Sequence, residues 1–303
     1  MIILTAGKTY LDIDGYASII AYREFLSLIG IPSKFVSDAI VNYSVTESLK
    51  KLPFSFDNYA VKPDDKYIIL DLSNPTYFPD FVNKDNIIEI IDHHPGYEEY
   101  WNNILKDKSI IEPVGAVATI IFEKYEQAGL LNKMNKDVAL LLMAAILDNT
   151  LNFTANITSK RDKDAYLKLE SITGKLDFAQ QYFSECQLFI ENNLDDAISN
   201  DIKIQKVNKY LPDVFGQLTI WNFDTLLNKV ELIKKIMNKY GNSWMINVIS
   251  LKDNTSYIIC SNEDVLNNFN YLFNTSQDKD IIKVKPVILR KEIMKIAIDK
   301  EEI

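Results

Sequence analysis

Ile90-Ile-Asp-His-His-Pro-Gly96 holds both histidines of this 303-residue chain, side by side and directly behind an aspartate. The residues leading into it, Asn86-Ile-Ile-Glu-Ile-Ile91, are an apolar run of strand length, and Pro95-Gly96 ends it. The run predicts a buried parallel strand with both imidazoles at its carboxyl end. Open α/β sheets build their sites at that end, so one segment predicts a fold class and a place for chemistry.

Working outward, Ile2 to Thr5 reads as a first strand and Asp14 to Ile29 as a helix closed by Gly30. Ser33 to Val36 follows as a second strand, giving β-α-β. Tyr67 to Asp71 is a β-branched run that precedes the histidine strand, Ile87 to Ile91. Gly115 to Gln127 and Lys136 to Leu147 read as helices, the second nearly all apolar and therefore buried. After the polar stretch Glu191-Asn-Asn-Leu-Asp-Asp196 the pattern changes to strands around 202–208, 217–222, 244–251 and 256–260, with one helix from Asp224 to Tyr240. The expected fold class is α/β: an amino-terminal, mostly parallel, doubly wound sheet over residues 1–187, a linker over 188–198, and a smaller α/β domain over 199–303.

Composition excludes several functions. A net charge of −9 argues against tracking the phosphates of a nucleic acid duplex, which needs a clustered cationic face. Cys186 and Cys260 are far apart and lack neighbours at metal-ligand spacing, so neither a disulfide framework nor a zinc cluster is indicated, and a reducing cytoplasm fits. No run approaches the roughly 20 apolar residues of a membrane span, and the apolar start Met1 to Gly7 is too short for a signal sequence.

Acidic and imidazole groups recur at the predicted strand and helix ends: Asp12 and Asp14, then Asp71, then Asp92-His93-His94, then Asp148-Asn149. Any one such aspartate, Asp14 included, reads equally well as a helix cap. Together they form a ligand set of oxygen and imidazole without thiolate, which suits manganese or magnesium better than structural zinc.

Seven motifs carry a resemblance over nearly the whole chain. They are Asp12-Ile-Asp14-Gly-Tyr-Ala-Ser18, Ile69-Leu-Asp71, Asp92-His-His94, Pro113-Val-Gly-Ala-Val-Ala-Thr119, Asp148-Asn-Thr-Leu-Asn-Phe153, Asp201-Ile-Lys203 and Leu289-Arg-Lys291. The chain resembles the DHH phosphoesterase superfamily in its DHHA2-containing branch: manganese-dependent family II inorganic pyrophosphatases and exopolyphosphatase-like proteins. The resemblance implies a hydrolase that cleaves pyrophosphate or short-chain polyphosphate with a metal-activated water, at a site in the interdomain cleft. It implies that Lys203, Arg290 and Lys291 hold substrate phosphates, that His94 faces the substrate, and that a homodimer can form through the first domain. Two other readings stay open: a phosphodiesterase acting on short oligonucleotides or cyclic dinucleotides, and a phosphate-binding regulatory protein with weakened turnover.

Two positions depart from the pattern. Where pyrophosphatase-type relatives carry a metal-binding histidine, this chain has Lys8, which when protonated has donors and no lone pair. If its ammonium lies between Asp12 and Asp71, it takes the place of one ion and pairs with Asp12, which makes Lys8 and Asp12 catalytic candidates. Asn149 falls where those relatives place a ligand aspartate, with Asp148 one residue away. The expected ligand set is then Asp14, Asp71 and His93, with Asn149 or Asp148 as a fourth. Asp12 is a ligand only if a second ion binds, so one well-formed site is expected and two are possible.

Overall fold

The computed structural model describes residues 1–274 and 281–301. By its contacts the chain forms two compact units, Met1–Tyr182 and Phe183–Ile303.

The first unit is built on five parallel strands: β1 (Ile2–Thr5), β2 (Ser33–Phe35), β3 (Lys66–Leu70), β4 (Ile87–Asp92) and β5 (Ser109–Ile111). Their order across the sheet is β2-β1-β3-β4-β5. β1, β3 and β4 are buried over nearly their whole length, as parallel strands covered on both faces must be. This explains their unbroken apolar runs. The order reverses direction between β1 and β3, and doubly wound sheets place ligands outside the carboxyl ends of strands at such a switch point. Asp71 stands directly after β3 and His93 directly after β4.

Helices cover the sheet. α1 (Ile13–Leu28) is capped by Asp12, which accepts the Gly15 amide at 3.0 Å, and past its far end the chain turns through Gly30 at φ +80°. α2 (Val117–Gln127) and α3 (Lys136–Asn149) pack on α1. α3 is buried along most of its length, as its apolar sequence predicts. α4 (Lys160–Thr173) opens with a capping box formed by Ser159 and Asp162.

The second unit holds a mixed sheet of β6 (Lys203–Ile204), β7 (Val214–Ile220), β8 (Trp244–Ser250), β9 (Thr255–Cys260) and β10 (Ile281–Val284), in the order β10-β9-β8-β7-β6. Only the β7–β8 pair is parallel. The expected strand over 202–208 shortens to Lys203–Ile204, and β10, which the sequence did not suggest, completes the sheet. The segment expected as a linker, 188–198, is helical: one helix runs Phe178–Asn192 and another Leu194–Asp201. Its polar residues are the outward face of helices whose Ile190, Leu194 and Ile198 are buried. Among the described residues no helix is long and apolar enough to cross a membrane.

Candidate metal centre

Asp71 occupies the left-handed region, at φ +58°. Aspartate tolerates that region better than most side chains, and the turn lets the chain leave β3 at once. Its Oδ1 is buried and has no hydrogen-bond partner. That oxygen lies 3.5 Å from His93 Nε2.

The state of His93 follows from its other nitrogen. Nδ1 is 3.0 Å from the Val114 carbonyl oxygen. A carbonyl can only accept, so Nδ1 carries the proton, and in the neutral ring Nε2 keeps its lone pair. With the ring neutral, two acceptors face one another in a buried space. A cation between them resolves that repulsion, so the donor set fits a divalent ion held by oxygen and imidazole. Asp71, His93 and His94 offer ligand atoms within 4.8 Å of one another.

Asp14 is fully buried at the start of α1 and accepts amides from the start of α2, Val117 at 2.7 Å and Ala118 at 2.9 Å. Its Oδ1 also accepts the Ser18 hydroxyl at 3.3 Å, while Oδ2 keeps a second lone pair. It is a helix cap and a ligand candidate at once. Burial, opposed by His93 and reinforced by Asp12, pushes its carboxyl up to about 6. Asp71 is raised well above the ordinary carboxylate range, first by burial and then by Asp14, Asp12 and Asp92. Asp148, at the end of α3, is pushed up to about 7 by burial, with Asp12 and Asp14 adding to the rise and a hydrogen bond from Tyr182 opposing it. Buried carboxylates that raise one another's pKa mark a concentration of negative charge.

These shifts bear on the fourth position. Asp148 is close enough to Asp12 and Asp14 to feel their charges. Successive helical residues point about 100° apart, so Asp148 and Asn149 do not both face the same group. Asn149 instead buries an amide nitrogen without a hydrogen bond. Asp148 thus adds its charge to the carboxylate cluster of Asp12 and Asp14.

His94 has a different environment. Its side chain is 60% exposed, and its Nδ1 donates to Asp92 Oδ1 at 2.8 Å. That hydrogen bond raises its pKa, against partial burial. The same Asp92 oxygen accepts the amides of His93 and His94, at 2.7 and 3.2 Å, so one buried carboxylate sets the geometry of the pair. Burial pushes Asp92 up, but the hydrogen bonds from His94 and Ser73 outweigh it and hold the carboxyl below its ordinary value.

Lys8 does not stand between Asp12 and Asp71. Its ammonium pairs with Asp80 at 3.3 Å, and its backbone N–H binds the Tyr77 carbonyl at 3.1 Å. An ammonium is strongly hydrated, and the partly exposed position beside Asp80 spares it the cost of entering a buried pocket.

In the second unit Arg290 is engaged within the protein. Its Nη1 donates to the Asp201 carbonyl at 2.6 Å and to Asp201 Oδ2 at 2.8 Å, and Nη2 reaches Oδ1 at 3.3 Å. Asp201 also accepts the Gln217 amide. Burial raises Asp201, and Arg290 opposes the rise. Lys203 and Lys291 are exposed. Sequence reasoning missed Val114, Tyr182 and Asp162 as partners of the centre, because a carbonyl, a phenol and a helix cap carry no motif that points to a distant ligand.

Comparisons with known proteins bear on the family and the fold. The chain is 27% identical over 264 residues to a manganese-dependent inorganic pyrophosphatase of Methanothrix thermoacetophila, covering 82% of this chain and 80% of the relative. It is 23% identical over 299 residues to a probable manganese-dependent inorganic pyrophosphatase of Bacillus licheniformis, covering 96% and 95%. The fold matches a Methanococcus jannaschii protein assigned to the family II inorganic pyrophosphatases, with a TM-score of 0.64 and 20% identity over 98% of this chain and 99% of that one. Residues 2–146 match the DHH family amino-terminal domain. That segment, which carries Asp12, Asp14, Asp71 and His93, is a DHH family amino-terminal domain.

Proposed function

We propose that the protein is a manganese-dependent phosphoanhydride hydrolase whose substrate is pyrophosphate or short-chain polyphosphate. The observation that carries the reading is the buried, unpartnered Asp71 Oδ1 facing His93 Nε2 at 3.5 Å, an arrangement that a cation stabilises. Manganese and pyrophosphate come from the names of the relatives, two of which align over most of both chains.

Asp71, His93, Asp14 and Asp148 would hold the ion, with Asp12 beside them. When bound, the ion supplies charge that stabilises phosphate oxygens and makes a water molecule more acidic. His94, raised by Asp92 and exposed, can in its protonated form donate from Nε2 to a phosphate oxygen or to the leaving group. Asp92 fixes the orientation of that ring. Lys203 and Lys291 are assigned to phosphate as mobile point charges. Arg290 can join them only by giving up Asp201, so its part in phosphate binding carries a cost that the two lysines do not.

The test is release of phosphate from pyrophosphate and tripolyphosphate, and of linear dinucleotide or mononucleotide from a cyclic dinucleotide, each with manganese, magnesium or cobalt, by the protein and by Asp71→Asn. Manganese-dependent release from the two anhydrides, lost in the variant, is the expected result. Release from the dinucleotide alone would move the assignment to a phosphodiesterase, and no release above the variant would sink both enzyme readings.

A further inference from the structure

We propose that Asp162, on α4, is a positioning residue for the metal centre, acting through the segment 114–119. This rests on the metal reading given above but not on the identity of the substrate. Asp162 is fully buried, and both its oxygens are filled. Oδ1 accepts the Thr119 hydroxyl at 2.6 Å. Oδ2 accepts the Gly115 amide at 3.0 Å and the amide and hydroxyl of Ser159, each at 2.7 Å.

The two contacts to Gly115 and Thr119 pin both ends of a short stretch, and that stretch makes the connections to the centre. Val114, one residue before Gly115, offers the carbonyl that holds His93 Nδ1–H. Val117 and Ala118, between the pinned ends, donate both amides that Asp14 accepts. One carboxylate thus fixes the backbone that sets the tautomer of one candidate ligand and the orientation of another.

Gly115 shows how close the approach is. A Cβ there would lie 2.6 Å from Thr150 Cγ2 and 2.8 Å from Asp162 Oδ2. Only a residue without a side chain lets the amide reach Asp162 while the carbonyl before it faces His93. A capping box needs only Ser159 and Asp162. The extra bonds to Gly115 and Thr119 serve no purpose in capping α4, and they tie that helix to the segment beneath the centre. Partners of this kind, which hold a ligand without touching the ion, affect metal affinity by roughly 10–100-fold.

The chain has two histidines, so its imidazole nitrogens can be resolved one by one. The experiment records ¹⁵N imidazole spectra of the metal-free full-length protein and, separately, its manganese affinity by calorimetry. In the parent protein His93 should show the Nδ1–H tautomer. Asp162→Asn keeps the volume but loses the charge and one acceptor. It should shift His93 toward a tautomer mixture and weaken manganese binding by about 10–100-fold. Asp65→Asn is the control: Asp65 is equally buried, but it lies just before β3, at the end of the strand opposite Asp71, and should leave both readouts unchanged.

If Asp162→Asn does not fold, Thr119→Val removes one of the anchoring bonds at constant shape and decides the matter with the same two readouts. A folded variant whose tautomer and affinity both match the control would overturn the proposal. The tautomer readout needs neither metal nor substrate, so a failure of the pyrophosphatase reading leaves it intact and separately visible.

Discussion

The two units treat charge in opposite ways. Around Asp71 and His93 the first unit concentrates carboxylates and aims a lone pair at an unpartnered oxygen, leaving the charge unbalanced inside the protein. Around Arg290 the second unit closes its charge internally: a guanidinium only 14% exposed is bound by Asp201 and backbone carbonyls. Burying unpaired charge is costly, and pairing it offsets much of that cost until one partner is removed. The first arrangement is therefore one that a ligand stabilises, and the second is stable without a ligand.

The sharpest way to break that contrast is Asp71→Asn. Asparagine tolerates the left-handed backbone that Asp71 occupies, so the turn survives. Losing a ligand should weaken manganese binding by at least roughly 100-fold, while thermal unfolding of the metal-free variant should occur at a higher temperature than that of the parent, because one crowded charge is gone. A lower unfolding temperature would mean that Asp71 is held by partners within the protein and that the first unit is no less self-satisfied than the second.

The pH dependence of stability probes the same imbalance. Asp14 is pushed up to about 6 and Asp148 to about 7, from the ordinary aspartate value of 3.8. Between those limits the folded state binds more protons than the unfolded chain, so these groups contribute stability that is present below about pH 4 and lost as pH rises through about 6 to 7. In EDTA the unfolding free energy from urea titration should fall across that window by more in the parent than in Asp148→Asn, by on the order of 1 kcal/mol or more. Saturating manganese should remove the difference, since the metal binds the ionised form. Equal slopes in both proteins would return the fourth ligand position to Asn149.

In the second unit Asp201→Asn should act on stability first. It leaves Arg290 without its carboxylate, and since Asp201 is 39% exposed the cost is discounted to about 1–3 kcal/mol. Chemical denaturation gives that value directly. Manganese affinity should be unchanged. A stability loss near zero would show that the guanidinium is readily released to another anion.

Much of the first unit was legible because parallel strands covered on both faces leave unbroken apolar runs, and each run ended at a residue with chemistry. Ile87 to Ile91 and Tyr67 to Asp71 came out as strands within a residue of their observed limits for that reason. The second unit was less legible: β6 is only two residues long and β10 lies beyond a stretch of polar sequence. In the site, ligand types could be read from side chains, but their partners could not. Val114 acts through its carbonyl, which any residue has. Asp148 and Asn149 differ by one step of α3, and only the position of the helix over the cluster separates them. Lys8 stands where pyrophosphatase-type relatives carry a metal-binding histidine, which left a place between Asp12 and Asp71 open to it, yet hydration and a backbone bond to Tyr77 go with a position beside Asp80.

Lys8→Ala is accordingly the variant with the smallest expected effect. Lys8 is 42% exposed and Asp80 94%, and an ion pair so open to water contributes about 0–1 kcal/mol, here near the lower limit. Unfolding free energy and manganese affinity should both stay close to those of the parent, and the number of bound ions should not rise. The result matters because the ammonium is a group that could balance the carboxylates of the first unit from within. If removing it instead increases manganese stoichiometry or strengthens binding about tenfold, then Lys8 spends much of its time at Asp12 and Asp71, and the first unit, like the second, carries its own counterion.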